Sequence, residues 1–137
     1  MITAAVLCMA LNIYHEARGE PLAGQIAVGH SVLNRVKDKR YPNDVCGVVK
    51  QAKYHEWDKV HPIRNQCQYS WWCDGMDDKP YDDQAMLEST VLAQYLLSGN
   101  AVDITEGATS YHADYIMPYW ADHMTMVVKI GKHIYYR

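Results

Sequence analysis

Ile13-Tyr14-His15-Glu16-Ala17-Arg18-Gly19-Glu20-Pro21 is the stretch at which the chain turns, and the fold follows from reading outward from it in both directions. Backward, Val6, Met9, Ala10, Ile13, Tyr14 and Ala17 recur at the three- and four-residue spacing of one helix face. Thr3 is placed to cap that helix, because a threonine hydroxyl can accept one of the free first-turn N–H groups. Gly19 suits the left-handed residue that closes a helix, and Pro21 cannot continue one. The pattern predicts a helix over residues 3–18. Forward, Pro21 is a favoured opening residue for a second helix. Its predicted inner stripe is Leu22, Gln25, Ile26, Gly29, Val32, Leu33 and Val36, and a basic stretch at its end complements the helix dipole.

Beyond it, residues 42–50 hold a short third helix with Asn43 or Asp44 near the cap. Residues 51–81 are irregular and rich in Trp, Tyr, His, Asp and Gly, the profile of a long ordered loop with a job to do. Asp82 caps a further helix that reaches residue 97 and closes on Ser98-Gly99-Asn100. Residues 109–112 read as a strand, and residues 124–130 and 133–137 as a hairpin around Gly131-Lys132. The expected class is α+β: a mainly helical domain with a small β-hairpin element, one catalytic domain over residues 1–137.

Charge excludes one large class of function. The net charge is -3, from 13 basic and 16 acidic side chains, and the densest basic run, Arg35 to Arg40, is broken by Asp38. That is a solvated helix face rather than a nucleic-acid footprint. The apolar opening run resembles the core of a signal peptide but lacks preceding positive charges, and it continues in register into Tyr14-His15-Glu16. It reads as mature structure, and it is too short to span a membrane. Of the four cysteines, none forms a CxxC pair, so no structural zinc site is expected. Cys8 sits in the apolar run and reads as a buried thiol. Pairing among Cys46, Cys67 and Cys73 is left open, since spacing does not give geometry. Eleven Tyr and four Trp against no Phe suit either a core built with Tyr or a site for wet, ring-shaped ligands.

The chemistry centres on Glu16. It falls in the last turn of an apolar helix, where the partial negative charge of the helix end and partial burial both disfavour a carboxylate. A carboxyl that keeps its proton near neutral pH is what glycoside cleavage requires of its acid. The competing reading is a surface glutamate paired with Arg18. Glu20, beyond the helix end, is better suited to a structural or charge-tuning role. His15-Glu16 begins a zinc-type HExxH motif, but Gly19 occupies the second histidine's place. His112, Asp114, Asp122 and His123 are the other combination weighed for an ion. No metal and no cofactor are expected.

These residues carry a resemblance. The opening stretch, then Gly24-Gln25-Ile26-Ala27-Val28 with Val32-Leu33-Asn34-Arg35-Val36, is similar to the SleB-type cell wall hydrolases, the spore-cortex-lytic group. The likeness continues through Pro42-Asn43, Val45-Cys46-Gly47-Val48-Val49 and Cys67-Gln68-Tyr69-Ser70-Trp71-Trp72-Cys73-Asp74-Gly75, and ends with Gly107-Ala108-Thr109-Ser110-Tyr111-His112, Pro118-Tyr119-Trp120-Ala121 and Ile130-Gly131-Lys132-His133-Ile134-Tyr135-Tyr136. Tyr69 stands where the family usually has Phe, and Ser110 where His is common. The resemblance implies a lysozyme-like fold and cleavage of peptidoglycan between N-acetylmuramic acid and N-acetylglucosamine, with lytic transglycosylase chemistry. Glu16 matches the family's catalytic glutamate.

Tyr69, Trp71, Trp72 and Tyr111 are the candidate sugar-stacking walls, and Ser70, Tyr111 and His112 the candidate hydrogen-bonding groups, with Arg18 and Glu20 in support. Asn34 and Arg35 are expected to tie the second helix to neighbouring loops. A hydrolytic muramidase would need a second carboxylate, for which Asp74, Asp77, Asp78 and Glu106 are available. A silent wall-binding module and a zinc amidase or peptidase are the readings from other classes. The expected partner is the peptidoglycan glycan strand, met by a monomer at the cell wall, with no nucleic acid and no membrane insertion. A bare catalytic domain suits a phage-type endolysin released through a holin-type pore, or a processed bacterial enzyme.

Overall fold

The computed structural model describes residues 2–137; Met1, the first residue of the predicted domain, lies outside them. Helix α1 runs Ala4–Ala17, and the Thr3 hydroxyl accepts from the Val6 N–H at 3.2 Å, the expected cap. Every residue of its predicted stripe is buried, and so are Cys8 and Asn12, which lie off that stripe. The helix is enclosed because α2 (Leu22–Lys37), α3 (Val45–Val49) and α4 (Asp83–Leu97) all pack against it. Met9 and Ile13 are fully buried, each contributing about 2 kcal/mol through loss of apolar surface to water.

Helix α2 departs from its predicted stripe. Leu22 is 61% exposed, whereas Gly24, Ala27, Val28, Ser31 and Arg35 are buried. The reason is a second buried face. One side of α2 meets the helices through Val32, and the other meets the sheet, where Ala27 packs with Ala108 and Tyr135. Gly29 marks the closest approach of α2 to α4: a Cβ there would lie 2.2 Å from a methyl carbon of Leu96. Asp82 caps α4 as expected, its carboxylate accepting from the Ala85 N–H at 3.0 Å.

The reading of Cys8 as a buried thiol needs correction. Cys8 is buried but bonded to Cys46, with 5.3 Å between their Cα atoms, because α3 brings Cys46 against α1. Cys67 pairs with Cys73 at 6.1 Å. The second bridge pins the long irregular stretch, which is further held by Trp72 Nε1 donating to the Tyr54 hydroxyl at 3.1 Å. A single short 3-10 turn, Ser70–Trp72, interrupts that stretch.

Three antiparallel strands complete the α+β fold: β1 (Ser110–Ala113), β2 (Met126–Ile130) and β3 (His133–Tyr136), in the order β1-β3-β2. The predicted hairpin is β2–β3, turning at Gly131, whose φ of 59° is one that glycine adopts freely. Tyr111 of β1 stands opposite Tyr135 of β3. Asn34 and Arg35 fasten α2 to the chain entering β1, as expected. Asn34 Nδ2 donates to the Ala108 carbonyl at 2.9 Å, and Arg35 Nε to the Thr109 carbonyl at 2.6 Å. These ties set β1 across the C-terminal end of α1.

Candidate active site

Glu16 is half-buried in the last turn of α1, at the end the sheet covers. The Tyr111 hydroxyl, on β1, donates a hydrogen bond to its Oε1. Tyr111 packs against both apolar clusters, the helical one and the one under the sheet, so its ring is fixed from two sides. Burial pushes the Glu16 carboxyl above its ordinary range. The bond from Tyr111, then the charges of His15 and Arg35, offset that only in part. Burial and the adjoining carboxyl push the Tyr111 phenol well up, so it stays protonated and remains a donor.

Glu16 lies on a cleft of about 410 Å³. One wall comes from the end of α1 and the turn after it, with Tyr14, His15, Arg18 and Glu20; the other comes from Tyr115 and the hairpin residues Lys132 and His133. His15 is held rigidly: its ring stacks on Trp71 at 4.6 Å, and Nε2 donates to the Asp78 carbonyl at 2.9 Å. Arg18 donates from Nη1 to the Tyr14 hydroxyl at 2.5 Å, and that hydroxyl also accepts from the Asp82 N–H at 3.1 Å. Glu20 clamps the hairpin. Its Oε1 accepts from the Lys132 N–H at 3.0 Å and lies 3.6 Å from His133 Nδ1. A Cβ at Gly131 would sit 3.0 Å from Glu20 Oε2, so this turn is shaped around that carboxylate. Burial lowers the His133 pKa more than Glu20 raises it, which favours a neutral ring.

Of the residues singled out in the sequence, Arg18, Glu20 and Tyr111 arrive beside Glu16. Others do not, and the expectation that they face the ligand is corrected. Tyr69 and Trp71 belong to the helical core, and the Trp71 indole N–H donates to Asn12 Oδ1 at 2.9 Å. Trp71 acts from behind the wall, as the plate on which His15 rests. His112 is buried, because strand alternation turns it away from Tyr111. Both its nitrogens are engaged, Nδ1 donating to the Ala113 carbonyl and Nε2 accepting from the Tyr136 hydroxyl, each at 2.7 Å. Ser70 is exposed but does not line the cleft, and Trp72 is half-buried in contact with the core. Sequence reading missed Tyr115, Lys132 and His133. Lys132 and His133 were visible as part of a hairpin and of the last block of the resemblance, neither of which said what they would lie against, and Tyr115 gave no signal.

The carboxylates considered as a second catalytic group do not line the cleft: Asp74, Asp77, Asp78 and Glu106 all lie outside it. The other carboxylate on the cleft is Glu20, already committed to the hairpin. Among the described residues, no group of three or more His, Cys, Asp or Glu side chains is gathered as an ion site, His112, Asp114, Asp122 and His123 included. Removing the Tyr111 hydroxyl tests the electrostatics. In Tyr111→Phe the bond that favours the Glu16 carboxylate is gone, so the Glu16 pKa rises further. The alkaline limb of the pH–rate profile is expected to move upward, with turnover at the optimum falling about tenfold. An unmoved limb would separate Tyr111 from the titration of Glu16.

The profile of the Cell Wall Hydrolase family matches residues 19–136. The chain is 30% identical over 128 residues to a spore cortex-lytic enzyme of Halalkalibacterium halodurans, covering 93% of this chain and 33% of that protein. It is 46% identical over 41 residues to the spore cortex-lytic enzyme of Bacillus subtilis, covering 30% of this chain and 13% of that one. The chain thus spans about a third or less of the length of these curated relatives. Two solved structures are similar. The catalytic domain of the Bacillus cereus SleB protein superposes with TM-score 0.67 at 28% identity, covering 97% of this chain and 89% of that one. The catalytic domain of the germination-specific lytic transglycosylase SleB of Bacillus anthracis superposes with TM-score 0.69 at 28% identity, covering 97% and 93%.

Proposed function

The chain belongs to the Cell Wall Hydrolase family, and from that premise we propose that it cuts peptidoglycan glycan strands between N-acetylmuramic acid and N-acetylglucosamine as a lytic transglycosylase, with Glu16 as its acid and base. The observation that carries the reading is the state of Glu16. It is a carboxyl on an open cleft whose burial favours the protonated form, with a fixed phenol on one oxygen and the other left to hold the proton. Glu16 precedes the span matched by the family profile, so its role rests on this geometry.

In the reaction, Glu16 gives its proton to the glycosidic oxygen as the bond from that oxygen to the muramic acid C1 breaks. The departing sugar leaves as an alcohol, and positive charge develops at C1. The carboxylate so formed, steadied by the Tyr111 hydroxyl, takes the proton of the sugar's own 6-hydroxyl, and O6 closes on C1 as a 1,6-anhydro ring. Glu16 ends protonated, ready for the next bond. Neither a protein nucleophile nor an activated water is needed, which fits a cleft whose second carboxylate, Glu20, is bound to a backbone N–H. The site of action is the cell wall. No helix among the described residues is long and apolar enough to cross a membrane.

The test is the identity of the ends. Digestion of purified peptidoglycan and mass spectrometry of the fragments is expected to give 1,6-anhydro-muropeptides. Reducing muramic acid ends would make the enzyme a muramidase. Intact glycan with cut peptides would remove the glycosidase reading altogether.

A further inference from the structure

The chain carries an excess of negative charge, yet two cations on its cleft have no acidic partner. None of the ion pairs among the described residues includes Arg18 or Lys132. Both are exposed, and both line the cleft that holds Glu16. From this we propose that Arg18 and Lys132 form a carboxylate subsite beside Glu16, so that the enzyme prefers glycan strands bearing free carboxylates over the same strands neutralised. The inference rests on the peptidoglycan reading and names the form of that substrate.

Arg18 is prepared for such a role. Its guanidinium lies 4.7 Å over the ring of buried Tyr14 and is hydrogen-bonded to the Tyr14 hydroxyl, itself held by the Asp82 N–H. The side chain therefore has little freedom left to lose on binding, and its remaining N–H groups form a fork suited to a carboxylate. Lys132 is anchored through its own N–H to Glu20, at the tip of the hairpin. The groups that could quench the two cations are otherwise occupied. Glu20 serves the Lys132 N–H and faces His133, and Asp114 is paired with Lys129 at 3.2 Å. What the cleft offers a ligand is a held guanidinium and an exposed ammonium on a held backbone, both on the cleft that carries the Glu16 carboxyl. Two carboxylates on the substrate could meet them: the lactyl group of a muramic acid freed of its peptide, or those of the peptide stem.

The experiment measures binding to the inactive Glu16→Gln protein and turnover by the wild type on two matched pairs of strands. One pair is peptide-free, with lactyl carboxylates free or converted to methylamides. The other is peptide-bearing, with stem carboxylates free or amidated. A preference of about tenfold for the free form is expected in at least one pair, weakening as salt is added. Arg18→Gln and Lys132→Gln should each bring that ratio towards unity, and Arg18→Lys should keep part of it. A preference confined to the peptide-free pair assigns the lactyl group, and one confined to the peptide-bearing pair assigns the stem. Equal binding of free and neutralised strands in both pairs overturns the proposal, as does a preference that survives both substitutions. A binding preference without any glycan cleavage would sustain the subsite while removing the cleavage reading, so the two fail separately.

Discussion

Glu16→Gln is expected to lower the release of glycan fragments by about 10²- to 10⁴-fold, the usual worth of a positioned acid–base group, while leaving the fold at least as stable as the wild type. The first effect follows because an amide cannot hand a proton to the glycosidic oxygen. The second follows from the sign of the pKa shift. Burial raises the Glu16 pKa above that of the unfolded chain, so ionising this carboxyl costs more in the native protein than in the denatured one. That penalty is absent below the unfolded pKa, grows above it, and is complete above the folded pKa. Glutamine never incurs it, and its carbonyl oxygen can still accept from Tyr111. Thermal melts should therefore show the variant level with the wild type in acid and ahead of it at neutral and higher pH. The wild-type rate should fall as pH rises through the Glu16 pKa, because the acid form is the one that works. Full activity in the variant would end the assignment of Glu16.

The largest effect on stability is expected from the bridge between Cys8 and Cys46. Its partners are 38 residues apart, and tying a loop of that length restrains the unfolded chain by about 4 kcal/mol. The bridge between Cys67 and Cys73, with a separation of 6, restrains it by about 2 kcal/mol. A Cys8→Ala, Cys46→Ala double variant avoids burying a hydroxyl where Cys8 stands. It should lose about 4 kcal/mol in denaturant unfolding, or about 15 °C in Tm. The Cys67→Ala, Cys73→Ala variant should lose about half as much, with its damage concentrated in the irregular stretch. A loss below about 1 kcal/mol for the first pair would mean that packing of α3 on α1 holds without the bond.

The helices, the hairpin and the place of Glu16 in the last turn of α1 were legible in the sequence because each is set by local rules. Thr3 and Asp82 are caps, Pro21 opens the second helix, and Glu16 follows in register from an apolar stripe, whereas Gly19 does not take the left-handed backbone expected of it, the cap of α1 being Arg18. What escaped was decided by elements far apart in the chain. The second buried face of α2 exists because a sheet made of the last strands lies on it, which no periodicity within residues 22–37 announces. Cys8 met Cys46 through the placement of α3. Trp71 looked like a ligand wall because its ring and N–H suit sugars, but Asn12 and His15, both on α1, use those same features to bury it. The hairpin residues of the cleft were visible as a turn and invisible as a site, since it takes Glu20, in the turn after α1, and Tyr111, on β1, to bring that turn to the end of α1.

The enclosure of α1 has a consequence for how the molecule moves. The acid hangs from the element most completely wrapped by others, so the backbone that carries it can become exposed only by something close to global unfolding. The facing wall is the hairpin tip and an exposed tyrosine, secured at the turn by the Glu20 carboxylate and by the Asp114 N–H, which donates to the Lys132 carbonyl at 2.8 Å. Hydrogen exchange should therefore divide the two sides of the cleft, with amides around residues 9–16 among the slowest in the chain and those around 131–132 among the quicker ones. A long strand would then be threaded and released by the hairpin side alone, past an acid that does not stir.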